Sequence, residues 1–287
     1  MTNAAPASTK QSVRRFYERA GWKRNQDGFF TDASLFEDVR PVSAEYRSKC
    51  HLRVNKYLGK KGSGILLDVA SGPIQYVEHR SYSKGFEFRI CGDMSVTALH
   101  EARKQLGAAG RYVQCDITHL PFKTSAMDAV LSLHTIYHVP AEEQKIAFDE
   151  VARVVKPGCP VVVVYDWANH SLLMTIATAP RLAVRAFLRC RRFLGKKKGC
   201  KGAGLSAPEL YFHPHGHPWM KRNLLSRYAV DIMVWRSVSI PFLRMYIHRW
   251  LAGKLFLRFI YRLEEAFPGL LGRFGAYPMF IIRKACP

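Results

Sequence analysis

The sequence predicts an α/β fold: a seven-stranded, mostly parallel sheet with helices on both faces and a basic helical insertion near the C-terminus. Three observations carry that expectation. Short, wholly apolar runs alternate with helix-period segments between residues 65 and 165, the rhythm of a parallel sheet covered on both sides. Residues 65–75, Ile-Leu-Leu-Asp-Val-Ala-Ser-Gly-Pro-Ile-Gln, end an apolar run in an acid followed at once by small residues. That is a buried strand entering a tight turn where a ligand can come close to the backbone. A hydrophobic content of 48% in 287 residues supplies enough apolar surface for one large core.

The elements follow in order. Residues 9–20 read as a helix ended near Gly21, and residues 25–41 as irregular, with Asp27-Gly28 a turn signal. Ser43, with Glu45 close behind, reads as the N-cap of a helix to about Leu58, closed by Gly59. Strands are expected at Ile65–Val69, Phe88–Gly92, Tyr112–Cys115, Ala129–Leu133 and Pro160–Tyr165. Ser95 is a good N-cap for a helix through Ala98, Leu99, Ala102 and Leu106, and a further helix covers about Ala141–Val154. After that the pattern changes. Residues 171–194 are apolar and basic together, and 195–204 form a basic loop. A helix is expected near Trp219–Ser226, a strand over Tyr228–Val238, a long basic helical region over 241–266, and a last antiparallel strand at Tyr277–Lys284.

The net charge is +22, and it is unevenly placed. Residues 1–169 hold 23 Lys/Arg and 18 Asp/Glu (+5), whereas residues 170–287 hold 21 and 4 (+17). The basic part calls for an anionic partner. Arg181, Arg185, Arg189 and Arg192 share a helical face, as largely do Arg244, His248, Lys254, Arg258 and Arg262. Apolar residues including Trp250, Phe256 and Phe259 fill the rest, a pattern suited to an anionic membrane surface or to a helix packed on the sheet with its basic face in water. The longest stretch without Asp, Glu, Lys or Arg is Trp167–Pro180, 14 residues, too short to span a bilayer. Seven scattered cysteines make no CxxC and suit buried thiols in a reducing compartment. The expected location is therefore cytoplasmic, peripheral at the inner face of a membrane.

Four stretches carry the chemistry. They are Asp68-Val-Ala-Ser-Gly72; Asp93, in CGDMS, at the end of strand two; Asp116, in QCDITHLPF, after strand three; and Arg153–Tyr165, RVVKPGCPVVVVY, leading into strand five. In this order and spacing they resemble class I S-adenosylmethionine-dependent methyltransferases of the small-molecule, quinone-methylase-like kind. The resemblance covers about residues 45–168 and implies a Rossmann-like core with S-adenosyl-L-methionine as cofactor. It implies contacts from Asp68, Ala70, Ser71 and Gly72 to the methionine end. Asp93 would hold the ribose hydroxyls, as the acid of dinucleotide-binding folds does, and Asp116 the adenine amino group. Met94 and Ile117 would pack on the ring, and His134 would border the cofactor. Two glycines of the family pattern are replaced, by Ala70 and Ile74, so a less tight turn is expected. A nicotinamide cofactor fits poorly, since the three-glycine fingerprint is missing.

Methyl transfer needs a general base only where the acceptor must lose a proton. His134, Tyr137 and His138, in SLHTIYHVP, are the candidates, the two histidines sharing a face if the segment is helical. Ordinary pocket wall is the competing reading. His213, His215 and His217 have an interrupted metal-like spacing, but no nearby Cys or Asp completes it, and no metal is expected. Tyr17 and Trp22 offer an N-terminal lid or core packing. The expected organisation is an N-terminal helix and lid segment (1–44), a cofactor-binding methyltransferase core (45–168), and basic insertions with the last two strands (169–287), which bind substrate within the same domain. The expected function is methyl transfer to O or C of a small acceptor, amphipathic or anionic. The alternatives are a non-catalytic lipid- or partner-binding protein that kept the fold, and a nucleic-acid methyltransferase. Nucleic acid is the less favoured partner, because the segment after strand four lacks the Asn/Asp-Pro-Pro-aromatic signature.

Overall fold

A computed structural model describes residues 6–59, 64–167, 171, 173–177, 179 and 210–284. Seven strands form one sheet: β1 (Ile65–Val69), β2 (Phe88–Asp93), β3 (Gly110–Gln114), β4 (Ala129–Leu133), β5 (Pro160–Val164), β6 (Ala229–Arg236) and β7 (Tyr277–Arg283). Their order is β3-β2-β1-β4-β5-β7-β6, and only β7 runs against its neighbours. The strands β1–β5 and the antiparallel last strand lie where the sequence puts them.

Alternate side chains of each strand serve opposite faces. In β5, Val161 and Val163 join Val151, Phe148 and Phe280 in one core, while Val162 and Val164 join Tyr46, Val54, Trp235 and Ile281 in the other. Both faces are dry, which is why these strands are continuous apolar runs. The first core is covered by α5 (Gln144–Val154), the second by α3 (Ala44–Arg53). A third helix, α4 (Val96–Leu106), starts at Ser95, whose Oγ accepts from the Ala98 amide at 3.2 Å. It packs Leu99 and Ala102 against Ile74 and Cys91.

Several local expectations are corrected. The segment 25–41 contains a short helix, α2 (Thr31–Phe36). Ser43 sits at the N-cap of α3 but its side chain caps no amide, because its backbone is helical (φ −96°, ψ −5°) rather than extended; its hydroxyl donates to Asp38 Oδ2 at 2.6 Å. The region 241–266 is not one helix. It is α6 (Ile240–Tyr246), a 3-10 turn at Arg249–Leu251, and α7 (Gly253–Ala266), followed by α8 (Pro268–Phe274). Ala252 breaks the run in a left-handed conformation (φ 51°). The α8 helix lies on β6 so closely that a Cβ on Gly272 would sit 2.4 Å from the Met233 carbonyl carbon. The expected basic helix through Arg181, Arg185, Arg189 and Arg192, and the loop 195–204, lie outside the described residues. Among the described residues, no helix is long and apolar enough to cross a membrane.

Candidate active site

Open α/β sheets bind ligands at the carboxyl ends of their parallel strands. Here β1, β2 and β4, together with the start of β7, surround a cavity of about 730 Å³ at that edge. Asp68, Ala70, Ser71, Gly72, Asp93, Met94, Asp116, Ile117, His134, Tyr137 and His138 all line it.

The turn after β1 is tighter than the sequence suggests. Ala70 (φ 54°) and Ile74 (φ 55°) both hold the left-handed conformation that glycine would adopt freely, with Gly72 (φ 58°) between them. The expectation of a looser turn is therefore corrected. The backbone keeps the path and tolerates a cost of about 1–2 kcal/mol at a residue such as Ala70. What holds it is nearby: the Ala70 amide donates to Gly92 O at 2.6 Å, and the Gly72 amide to Asp93 Oδ2 at 2.9 Å.

The two acids at neighbouring strand ends have different duties. Asp68 is buried and its Oδ2 accepts from Arg89 Nε at 3.1 Å and from the same guanidinium's Nη2. This acid is the counter-ion of a fully buried arginine that also reaches His79 O at 2.7 Å. Among the described residues Asp93 has no ion-pair partner. Its Oδ1 accepts from the Ser95 amide at 2.8 Å, and the Met94 amide adds a third backbone hydrogen bond, which still leaves the carboxyl acceptor capacity. Burial pushes its carboxyl up to about 6. A carboxylate with spare acceptor capacity beside a tight turn of small residues suits a pair of ribose hydroxyls.

Asp116 meets a cation that sequence reading missed. Lys10, on α1 (Pro6–Phe16), donates to Asp116 Oδ2 and Thr118 Oγ1, both at 2.7 Å, and also pairs with Glu143. Burial would push the Asp116 carboxyl up, but the Lys10 ammonium and the Thr118 amide hold it below the usual range. The N-terminal helix is thus clamped over this end of the cavity. Tyr17 and Trp22 stack at 4.7 Å, and a Cβ on Gly72 would lie 3.2 Å from the Trp22 ring. Both rings line the cavity, as a lid would.

The candidate bases are placed but not on one helical face. His134 follows β4 with φ 56°, and His138 ends a 3-10 turn, Ile136–His138. His134 is wedged edge-on between Trp235 and Tyr277, with ring centroids 4.4 and 5.6 Å away. Burial, and then the nearby Arg236 charge, push it down to about 3. His138 Nδ1 pairs with Tyr211 O at 2.7 Å, which makes Nδ1 the protonated nitrogen and leaves Nε2 with the lone pair. Burial pushes His138 down to about 4. The Tyr137 phenol is held well above its ordinary value by burial. All three are neutral at pH 7.

The far end of the cavity was not foreseen. Glu37, His51, Gln75, Tyr76, Arg236, Ile240, Arg244 and Tyr277 line it. Arg236 is buried, pairs with Glu37 and stacks over Tyr277 at 4.5 Å, while its Nε has no partner. His51 Nε2 and Gln75 Oε1 are likewise buried, and none of the three atoms has a partner among the described residues. Asp32, held near 6 by burial, accepts from Gln75 Nε2 at 3.3 Å. One signal existed for Arg236: a charge ending the apolar run Ile232–Trp235, at the edge where ligands bind. The three spaced histidines do separate things. His215 stacks on Trp219 at 4.0 Å, His213 crosses His215 edge-on, and His217 opens a one-turn helix, His217–Met220.

Residues 67–163 match the methyltransferase domain family. Two curated relatives, both called probable tRNA methyltransferase 9B, share 29% identity (Mus musculus) and 27% (Homo sapiens) over 137 residues, 47% of this chain. The match spans under a third of those relatives, 29% and 28% of their lengths. Two solved structures share the fold. The geranyl diphosphate C-methyltransferase of Streptomyces coelicolor has a TM-score of 0.57 at 15% identity, covering 98% of this chain and all of that one. The phosphoethanolamine N-methyltransferase 1 of Haemonchus contortus has 0.58 at 10%, covering 98% and 50%. The fold is that of class I methyltransferases. The match over residues 67–163 and the shared fold agree with the S-adenosylmethionine reading of the four sequence stretches.

Proposed function

We propose that this chain transfers the methyl group of S-adenosylmethionine to oxygen or carbon of a small, amphipathic or anionic acceptor. The observation that carries this is the far end of the cavity. It is lined by aromatic rings, and it holds buried polar atoms at Arg236, His51 and Gln75 that have no partner among the described residues. An unpaired buried donor or acceptor costs about 1–3 kcal/mol. A bound molecule that satisfies them recovers that cost, which supports an acceptor pocket.

The cofactor, when bound, supplies an electrophilic methyl carbon with its leaving group attached. The chain's own residues do the rest. The Ala70–Gly72 turn and Asp93 would fix the donor end, and the clamped N-terminal helix with Trp22 and Tyr17 excludes water. Holding donor and acceptor in line is then the main contribution to rate. Of the three candidate bases, His138 is favoured for any proton that must leave the acceptor, because its Nε2 lone pair is free and His134 is wedged between two rings. With folded-state values near 3 and 4, neither histidine is a strong base, which agrees with a reaction driven by alignment.

A second reading, an RNA acceptor, is favoured by the names of the curated relatives and by the net charge of +22. One experiment separates the readings. The protein is incubated with methyl-labelled cofactor and a fractionated cell extract. Label in the small-molecule or lipid fraction is expected. Label in RNA alone replaces the proposal with the second reading. Tight cofactor binding with label in no fraction points to a non-catalytic binding protein.

A further inference from the structure

The α7 helix has three faces where a surface helix normally has two. Leu257, Ile260 and Glu264 turn into the core. Lys254, Arg258 and Arg262, spaced by four, form a charged stripe. Between them, on the outside, lie Leu255, Phe256, Phe259 and Leu263, all exposed, with Phe259 at 56%. The apolar surface continues at both ends, through Trp250 (79% exposed) before the helix and Phe267 and Leu270 after it. A soluble surface seldom keeps so large a connected apolar patch unless something docks there.

The charges around the patch say what docks. The only acids between residues 240 and 276 are Glu264 and Glu265. Glu264 is buried and accepts from Tyr46 Oη, the Ser237 amide and Arg53. Glu265 is paired with Arg53 and Lys56. Arg258 is paired with Glu45, whereas Arg249, Lys254, Arg262 and Arg273 are exposed with no ion pair among the described residues. Among the described residues, the surface therefore offers Trp, Phe and Leu to an apolar layer, and its unpaired charges are cations. A second copy of the chain fits badly, since a two-fold contact would bring like charges together.

We propose that the Trp250–Leu270 face docks flat on an anionic lipid bilayer, aromatic and leucine side chains in the acyl boundary and cations among the headgroups. Docking does not depend on which acceptor is methylated. The test is flotation of the full chain with phosphatidylcholine vesicles, with and without phosphatidylglycerol. Binding is expected only with phosphatidylglycerol and at low salt. Neutralising three cations (Arg249→Gln, Lys254→Gln, Arg262→Gln) should weaken it on the order of 100-fold, at about 1 kcal/mol per charge. Phe256→Asp with Phe259→Asp should weaken it about tenfold or more. Both variants should melt and bind cofactor like the wild type. As a measurement on near-native protein, tryptophan emission should shift to the blue on vesicle addition, and that shift should shrink in Trp250→Phe. No flotation at low salt overturns the proposal. So does undiminished binding of both variants, which moves the contact elsewhere on the chain. A dimer in solution that the double aspartate variant dissolves would assign the face to a second copy instead.

Discussion

At the β1–β3 end of the cavity, Asp68, the Ala70–Gly72 turn, Asp93 and Asp116 come from successive strand ends within 50 residues. At the other end, Glu37, His51, His134, Arg236 and Tyr277 come from five separate segments spread over 240 residues. The first end is built largely from backbone geometry and needs small residues and acids at fixed offsets. The second is built from side chains that meet only once the sheet has closed. On the proposed function, the methyl donor, a ligand of fixed identity, meets the local device, and the acceptor meets side chains gathered from distant segments.

Within the first end, Asp68 and Asp93 sharpen the contrast, since they look alike in sequence and differ in duty. Asp68→Ala strands a fully buried Arg89 and should lower unfolding free energy by about 3–5 kcal/mol, read by denaturant titration. A loss under 1 kcal/mol would break the assignment. Asp93→Asn turns a donor toward one of the buried amides that Asp93 now accepts from and should cost about 1–3 kcal/mol, less than Asp68→Ala, while cofactor affinity falls roughly 100-fold, since hydrogen bonds to a charged group contribute about 1.5–3 kcal/mol each. Equal calorimetric affinity for wild type and variant would remove Asp93 from the ribose.

The pH dependence separates the two ends as well. With Asp93 held near 6, cofactor affinity should fall about tenfold per pH unit below that value and stay flat in Asp93→Asn. Stability follows the buried imidazoles of His51, His79, His134 and His138, all pushed down by burial. The folded state binds fewer protons than the unfolded one there. Their contribution is complete above about 6.5 and is lost as pH falls toward the folded values. Asp32 and Asp93, raised to about 6, act oppositely, gaining stability as they protonate between about 6 and 4. Asp68, also raised by burial, acts with them, so four imidazoles stand against three carboxyls and melting temperature should still drop across that window. The smallest effect belongs to the turn. Ala70→Gly relieves a left-handed alanine and should stabilise by about 0.5–1 kcal/mol, after the extra freedom of glycine in the unfolded chain is counted.

The expected site residues lie on one cavity because their signals are local: an apolar run, an acid at its end, small residues next. The lid residues Tyr17 and Trp22 were visible only as aromatics of undecided use. Lys10 was not visible at all, since nothing near it in sequence hints that α1 will lie over the loop after β3. The misread turn has the same origin. Ala70 and Ile74 suggest a looser path, but the hydrogen bonds that overrule their preference come from Gly92 and Asp93, one strand away.

The sequence by itself determined the strands, the parallel run with one antiparallel strand, and the residues gathered at the β1–β3 end of the cavity, because apolar runs, turn chemistry and strand-end acids act over a few residues. Only the tertiary structure decided the rest: that Asp68 serves Arg89 rather than standing free, that Lys10 clamps the lid, and that Arg236, His51 and Glu37 share a pocket. It also decided that one face of α7 stays outside, apolar, with unpaired cations among the described residues beside it. Pairings between buried charges, and the choice of which helix face meets the core, depend on distances across the closed fold, and no local pattern carries them.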